Sequence, residues 1–283
     1  MFDSPYIQHM RPRSWPIVAL HFSSGVILAW LTEDRVTPMA ALLGALAWAV
    51  CLNGGTLALN SAFDRDSGDI GYLDDPPPIP AGLGPFGVIV MLAGLALASG
   101  VNKAFFWLYA FNGLLSVLYS VPPFRFKVRA GADVCINAVG YGLSTFLAGW
   151  LAQAGSANWF ALLVGMGFAF LFAGFYPLTQ IYQYREDREG GAVTLTVALG
   201  VKNALVFSAV FIHLAFAAFL VGFWTAGRPA VPVLLLGGVW LIWVRHLRGW
   251  SSRRTPARQK AGMYEALSIW ALTDCMVLLS ALG

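Results

Sequence analysis

Long apolar runs restrict the fold of this chain more than any other feature of its sequence. Hydrophobic residues make up 58% of its 283 residues and charged residues only 11%, whereas soluble domains average about 25% charged residues. A helix needs about 20 mostly apolar residues to cross a bilayer, and lipid forces each crossing segment to satisfy its own backbone hydrogen bonds. We therefore predict an all-α polytopic membrane protein with nine transmembrane helices in a bundle, at residues 15–32, 38–59, 83–101, 104–121, 133–152, 158–181, 203–225, 229–245 and 262–282.

The basic residues between these runs predict how the chain is oriented. Of the 18 Lys and Arg residues, 15 lie in the N-terminal segment and the alternate connections that share its side, and only Arg35, Lys103 and Arg228 lie in the opposite set. The positive-inside rule then places the N-terminus and the long loops in the cytoplasm. The net charge of +4 follows from this bias. Since the sequence carries no nucleic-acid-binding motif, we expect membrane lipid rather than nucleic acid as its surroundings.

The long polar connections alternate in charge. The 60–82 connection is acidic and the 122–131 connection is basic, and the order repeats with an acid-bearing 182–200 and a basic 245–261 connection. Predicted spans 1–4 and 5–8 therefore present the same order of loops. This pattern predicts one domain over 1–283, built as a pseudo-repeat of spans 1–4 and 5–8 plus a ninth span. The two acidic stretches follow spans 2 and 6 and would lie near each other if the halves pack together.

The first acidic connection supplies the strongest candidate ligands. Asn60 and Asp64 are four residues apart, so they share a face if the second span continues as a helix. Asp69 is a third candidate, and Asp66 is a possible further ligand. The alternative interpretation of this cluster is a solvated loop at the membrane boundary.

The second acidic connection contains a similar set. Glu186 and Asp187 carry its acid, and Gln180 and Gln183 precede them by about one turn. Two arginines are interleaved with the acids, so a local salt-bridged helix end is the alternative interpretation.

Acidic and basic loops on one membrane face suit a diphosphate held through Mg²⁺. Mg²⁺ takes one or two carboxylates together with phosphate oxygens, and Lys and Arg neutralise the remaining phosphate charge. A long isoprenoid tail would occupy the apolar bundle. Asp133 and Asn137 directly follow the basic 122–131 loop, four residues apart at the start of the fifth span. Because ionisable groups inside a membrane are usually functional, we expect this pair to orient that loop or an acceptor.

Several motifs together resemble the UbiA superfamily of intramembrane prenyltransferases. They are "MRPRSWP" before span 1, the Asn/Asp motif leading to "PIPAG" after span 2, "YSVPPFRFK" after span 4 and "EDREGGAVTLTVALG" after span 6. The resemblance implies nine helices around a central cavity and a prenyl diphosphate, of C10–C20 or longer, bound through Mg²⁺. It further implies that the allylic C–O bond ionises and that the cation passes to a lipophilic, usually aromatic, acceptor.

The resemblance also assigns residues to roles. The implied metal ligands are Asn60, Asp64, Asp69, Gln183 and Asp187; the implied diphosphate contacts are Asn60, Arg65, Tyr119, Arg125 and Lys127; and Asp64, Asp187 and Lys127 are the implied catalytic residues. The sequence departs from the family pattern at several positions. Gly68 stands where the next aspartate of the first motif is expected, Gln183 replaces the first aspartate of the second motif, and Pro77 replaces a customary arginine. These departures indicate a divergent member and leave the acceptor open.

Two other functions remain compatible with the residues. A membrane terpene cyclase would use the same diphosphate clamp and let the substrate's own double bond capture the cation. A transporter or lipid-binding membrane protein would also have internal repeats and polar residues in its spans. The acids here cluster at one face rather than at the midplane, which favours the enzyme.

Overall fold

Helices cover every predicted apolar run. The computed structural model describes residues 4–33, 37–64, 70–228 and 230–282, and in these ranges the regular structure is helical apart from isolated bridges between Ile70 and Leu73 and between Arg129 and Val193. The long helices are α1 (Trp15–Glu33), α2 (Pro38–Asp64), α3 (Leu83–Ser99), α4 (Lys103–Ser120), α5 (Ala132–Ala154), α6 (Trp159–Ile181), α7 (Leu195–Thr225), α8 (Ala230–Arg248) and α9 (Pro256–Ser280). Short helices lie at Pro5–His9 and Tyr184–Glu189.

Six of the long helices have the length and apolar composition to cross a membrane. Among the described residues these are α1, α2, α5, α6, α7 and α9, and α3 is a shorter apolar helix. The α4 and α8 helices are not in this set. The structure therefore supports an integral, multi-pass membrane protein, while nine crossings and the cytoplasmic side of the loops stay predictions.

Three helices extend beyond their predicted ends. The α2 helix continues to Asp64, α7 begins at Leu195 and α9 begins at Pro256. The Thr255 hydroxyl caps α9 by accepting from Arg258 N at 3.4 Å, and the proline of the first turn needs no hydrogen-bond acceptor there. The polar first turn of α9, "PARQK", explains why the apolar run did not mark its start. Gly200 interrupts α7 with a φ of 73°, a conformation that glycine adopts without strain.

The chain divides into two compact units. The first comprises Met1–Arg125 and Leu147–Ser156, and the second comprises Phe126–Phe146 and Ala157–Gly283. One boundary falls in the basic loop after α4, and another falls within α5, which contributes residues to both units. One domain over 1–283, and its origin by duplication, remain predictions.

Aromatic side chains fill the interior of the first unit. Trp48 packs edge-on against Phe105 and Tyr109, with ring centroids 5.9 and 6.0 Å apart. The Tyr109 hydroxyl donates to the Met91 carbonyl at 2.9 Å, so its polar end is satisfied inside an apolar cluster. Such packing fixes α2 against α3 and α4.

The second unit has an aromatic core of its own. Phe168 on α6 contacts Phe146, Phe219 and Trp270, with ring centroids 5.3, 4.9 and 6.0 Å apart. These rings come from α5, α7 and α9, so α6 is the central helix of this unit. Its C-terminal end carries the second acidic connection.

Candidate active site

The C-terminal end of α2 presents the first predicted ligand pair. Since α2 continues as a helix to Asp64, Asn60 and Asp64 stand one turn apart on one face, as predicted. The Asn60 Oδ1 atom is buried and has no hydrogen-bond donor within the described ranges. Burying an acceptor without a donor costs about 1–3 kcal/mol. An oxygen in this state fits the hard oxygen ligand set of Mg²⁺.

Arg125 faces Asp64 from the basic loop. Its Nη2 atom lies 3.6 Å from Asp64 Oδ1, an ion pair longer than a hydrogen bond, and the side chains are 40% and 9% exposed, respectively. The Arg125 backbone has a φ of 37°, and its N–H donates to the Val121 carbonyl at 3.1 Å. This turn directs the guanidinium back toward the end of α2.

Two further polar atoms of this loop are buried without a partner in the part of the chain that the structure describes. They are Arg125 Nε and the Ser120 hydroxyl, at the end of α4. Tyr119 precedes Ser120 and is half-buried. Donors held in this way can bind phosphate oxygens without first breaking strong internal bonds.

The N-terminal segment contacts the end of α2 and the described part of the loop that follows it, a feature that the sequence indicated only through the motif "MRPRSWP". Arg11 is 7% exposed; its guanidinium donates to the Ser61 hydroxyl at 3.2 Å and to the Gly71 carbonyl at 3.4 Å. Arg13 forms an exposed ion pair with Asp74 at 3.1 Å. The available sequence signal was the position of this arginine, just before the first apolar run.

The same segment also fastens the later part of this loop. Tyr6 donates to the Ala81 carbonyl at 2.6 Å, and His9 Nε2 lies 3.1 Å from the Pro77 carbonyl oxygen. Burial lowers the pKa of His9 below its ordinary value of 6.5, and the neighbouring charge of Arg11 acts in the same direction. The connection from α2 to α3 is therefore held by side chains at both of its described ends.

The second acidic connection folds as the short helix Tyr184–Glu189. Gln183 is its N-cap residue, and the Asp187 N–H donates to the Gln183 carbonyl at 2.9 Å. Gln183 and Asp187 are half-buried, whereas Glu186 is exposed. The two residues of this connection that the family resemblance selects as ligands are therefore less exposed than Glu186, and their role stays a prediction.

Asp133 holds this connection in place through side-chain hydrogen bonds. Its side chain is fully buried, and Oδ2 accepts from Gln180 Nε2 at 2.7 Å and from Leu195 N at 2.9 Å, while Oδ1 accepts from Val134 N at 2.9 Å. Gln180 in turn accepts from the Thr196 hydroxyl at 2.9 Å. The network joins the start of α5, the end of α6 and the start of α7, so Asp133 and Gln180 hold the connection between α6 and α7 at both ends.

Asn137 and Lys127 lie on either side of Asp133 in the sequence. The Asn137 side chain is buried and donates to the Asp133 carbonyl at 2.8 Å, within α5. Lys127 lies in the 3-10 turn Phe126–Val128 and is half-buried. Just beyond this turn, Arg129 forms a parallel bridge with Val193, which brings the basic loop alongside the second acidic connection.

Three predicted site residues, Arg65, Asp66 and Asp69, lie outside the described residues. Within the described ranges, no three or more His, Cys, Asp or Glu side chains gather closely enough to hold a metal ion. The predicted ligand set does not need such a group, because two of its members are amides and Mg²⁺ also takes phosphate and water oxygens.

Comparison with known proteins identifies the family. A model of the UbiA prenyltransferase family matches residues 20–271. The chain belongs to the UbiA prenyltransferase family. As a member of it, the protein is a prenyltransferase.

Individual UbiA relatives extend over most of the chain. A protoheme IX farnesyltransferase of Pyrobaculum islandicum is 28% identical over 257 residues, which cover 82% of this chain and 89% of that protein. A chloroplastic chlorophyll synthase of Oryza sativa subsp. japonica is 25% identical over 82% of this chain and 64% of that protein. Among solved structures, a UbiA homolog from Archaeoglobus fulgidus bound to GPP and Mg²⁺ superposes with a TM-score of 0.75 at 21% identity, covering 98% of this chain and all of that one.

Proposed function

We propose that this prenyltransferase binds an allylic prenyl diphosphate of C10–C20 or longer through Mg²⁺ and transfers the prenyl group to a lipophilic or aromatic acceptor in the membrane. The observation that carries the proposal is the end of α2. There, the buried Asn60 oxygen lacks a donor within the described ranges, one turn from an aspartate that faces Arg125. Two relatives are named for farnesyl transfer and chlorophyll synthesis, and a structural neighbour is bound to GPP and Mg²⁺.

The oxygen-bearing side chains would hold the metal. Asn60 and Asp64 supply one set of ligands and Gln183 and Asp187 supply the other, with Asp69 as a further ligand. Mg²⁺, when bound, neutralises negative charge that develops on the departing diphosphate. Asp66 and Glu186 are additional acids of the same loops rather than required ligands.

The basic residues would hold the diphosphate. Arg125 exchanges its long contact with Asp64 for phosphate oxygens, and Lys127 donates to the same group, with Tyr119 and Arg65 completing the set. Preorganised donors of this kind stabilise charge as it develops in the transition state. In the transfer, the allylic C–O bond breaks and both of its electrons leave with the diphosphate. The acceptor's π electrons form the new C–C bond, and the acceptor then loses a proton.

Asp133, Asn137 and Gln180 would act as positioning residues. Asp133 and Gln180 are buried and bonded to backbone and side-chain groups of the helices that flank the second acidic connection. They would keep that connection in the conformation in which its side chains can bind Mg²⁺. The proposed reaction face is the cytoplasmic side, where the basic loops are concentrated.

Diphosphate release by the purified protein tests this function. The protein in detergent is given C10, C15 and C20 allylic diphosphates with and without Mg²⁺, first alone and then with an extract of membrane lipids and small aromatic compounds. Mass spectrometry identifies the products. We expect Mg²⁺-dependent release that requires the extract and a product heavier by the prenyl unit.

The variants Asp64→Asn and Asp74→Asn form a matched pair for this assay. Asp74 is an exposed aspartate of the same connection, paired with Arg13. We expect Asp64→Asn to abolish release and Asp74→Asn to retain it. Full Mg²⁺-dependent turnover in Asp64→Asn would refute the ligand assignment, and a cyclic product formed without acceptor would identify a terpene cyclase instead.

A further inference from the structure

A cavity of about 640 Å³ lies where α8 ends and α9 begins. It is formed by the last turns of α8, the 3-10 turn Gly249–Ser252 and the first turns of α9. None of its lining residues belongs to the proposed diphosphate clamp, so the cavity is a separate feature of the second unit.

Arginines give this cavity its charge. Arg245, Arg253 and Arg258 line it, against one acid, Glu265. Arg253 is fixed in place because it forms an ion pair with Glu265 and stacks over the Trp250 ring at 5.2 Å. Arg245 and Arg258 are exposed and form no ion pair with any described residue. The lining therefore carries a net charge of +2 from its arginines and its single acid, which attracts an anion.

A buried polar group points to a ligand independently of that charge. His246 lines the cavity and is 8% exposed, and its Nε2 atom is buried without a hydrogen-bond partner in the described part of the chain. Its Nδ1 atom lies 3.6 Å from Glu265 Oε2. Buried polar atoms are nearly always hydrogen-bonded, so an atom left in this state calls for an explanation. When Nε2 carries the ring proton, it would donate to a phosphate oxygen in the cavity.

Another part of the wall is apolar and continues along the helices. Ile242 on α8 and Ile269 on α9 line the cavity beside the arginines. A ligand that fits both parts has an anionic head and an apolar tail. Basic pockets between helices at the cytoplasmic surface of membrane proteins bind anionic lipid headgroups in this way.

We propose that this cavity binds the phosphate headgroup of an anionic membrane phospholipid, whose acyl chains lie against α8 and α9. A free phosphate would use the arginines but leave the isoleucine wall without a partner. The site is independent of the proposed reaction, and its failure would leave the diphosphate clamp unaffected.

Lipid titration of the full-length protein tests the site. Phosphatidylglycerol is added to the detergent-purified protein, and native mass spectrometry gives the apparent Kd of the first bound lipid. The test variant is Arg245→Gln/Arg258→Gln. The control is Arg248→Gln/Arg254→Gln, which removes the same charge from exposed arginines of the same connection that do not line the cavity. Size-exclusion chromatography checks that both variants are folded.

We expect the test variant to bind the first phosphatidylglycerol about tenfold or more weakly, because it loses two charge-assisted contacts, and the control to bind within about twofold of the unmodified protein. Equal weakening in both variants, or in neither, overturns the proposal. Displacement of the lipid by an excess of inorganic phosphate or of a prenyl diphosphate would assign the cavity to a free phosphate source instead. Equal affinity for zwitterionic phosphatidylcholine would also overturn it.

Discussion

Replacing Asp133 provides a sharp test of how the second acidic connection is held. The carboxylate accepts three hydrogen bonds and is fully buried. Asp133→Ala removes both acceptor oxygens and so all three hydrogen bonds. Asp133→Asn keeps the shape of the side chain and one oxygen, which can still accept from Gln180 and Leu195. Its NH₂ group replaces the oxygen that accepts from the Val134 N–H, so that donor loses its acceptor.

The expected losses follow from the donors left unsatisfied. Each buried donor without an acceptor costs about 1–3 kcal/mol. Asp133→Ala leaves three donors without an acceptor, namely the Gln180 amide, the Leu195 N–H and the Val134 N–H, so we expect it to lower the free energy of unfolding by about 3–9 kcal/mol. Asp133→Asn strands one donor, for an expected loss of about 1–3 kcal/mol. Removing a buried carboxylate recovers part of its desolvation cost, which favours the lower end of both ranges.

Thermal unfolding in detergent measures these losses. The signal is the fraction of protein that stays monodisperse on size-exclusion chromatography after heating. The control is Asp74→Asn, since Asp74 is an exposed carboxylate whose ion pair is worth about 0–1 kcal/mol. We expect the apparent Tm to fall in the order control, Asp133→Asn, Asp133→Ala. An Asp133→Ala protein as stable as the control would refute the anchoring role.

If Asp133 positions the second acidic connection, the same variants should show one further effect. Because the network holds the connection that carries Gln183 and Asp187, Asp133→Asn should raise the Mg²⁺ concentration needed for half-maximal turnover. A loss of stability with an unchanged Mg²⁺ dependence would leave Asp133 as a purely structural residue.

Three other perturbations test the remaining geometry. Arg125→Gln should lower kcat/KM for the prenyl diphosphate about 10–100-fold with little change in Tm, since its present ion pair is long and partly exposed and its stronger contact would be with substrate. Gly149→Ala should lower the free energy of unfolding by about 1–3 kcal/mol, because its Cβ would overlap the Phe22 carbonyl oxygen, whereas Gly113→Ala, whose Cβ finds only ordinary contact, should not. Burial lowers the pKa of His9, so the folded state binds fewer protons than the unfolded state, and Tm should fall as the pH drops below about 6.5; His9→Gln should flatten that fall between pH 7.5 and 5.5.

The apolar pattern predicted where the helices lie but not where all of them begin. Apolar runs mark the buried middle of a helix, whereas the ends of α2 and α9 are polar and depend on capping or on loops that hold them. For α2 this difference matters most, because the last polar turn carries Asn60 and Asp64. The four-residue spacing of that pair was readable from sequence, and it depended on the helix continuing, which it does.

The charge pattern identified the loops of the candidate site but could not rank their residues. Glu186 and Asp187 are neighbours in sequence, yet the short helix exposes the first and half-buries the second. That difference arises from the cap at Gln183 and from the turn that follows the helix, and neither has a strong sequence signature.

Buried polar residues show most clearly why sequence alone could not finish the assignment. A polar side chain within a membrane-spanning helix is a functional candidate by default, and Asp133 near the start of α5 and Asn60 near the end of α2 both fit that description. They differ only in their surroundings. Asp133 is saturated by donors that come from two other helices, 47 and 62 residues away in the chain, whereas the Asn60 oxygen is buried with no donor in the described ranges. A saturated acceptor stabilises the fold and an unsatisfied one is available to a cation, so the tertiary contacts assign Asp133 to the scaffold and Asn60 to the proposed metal site.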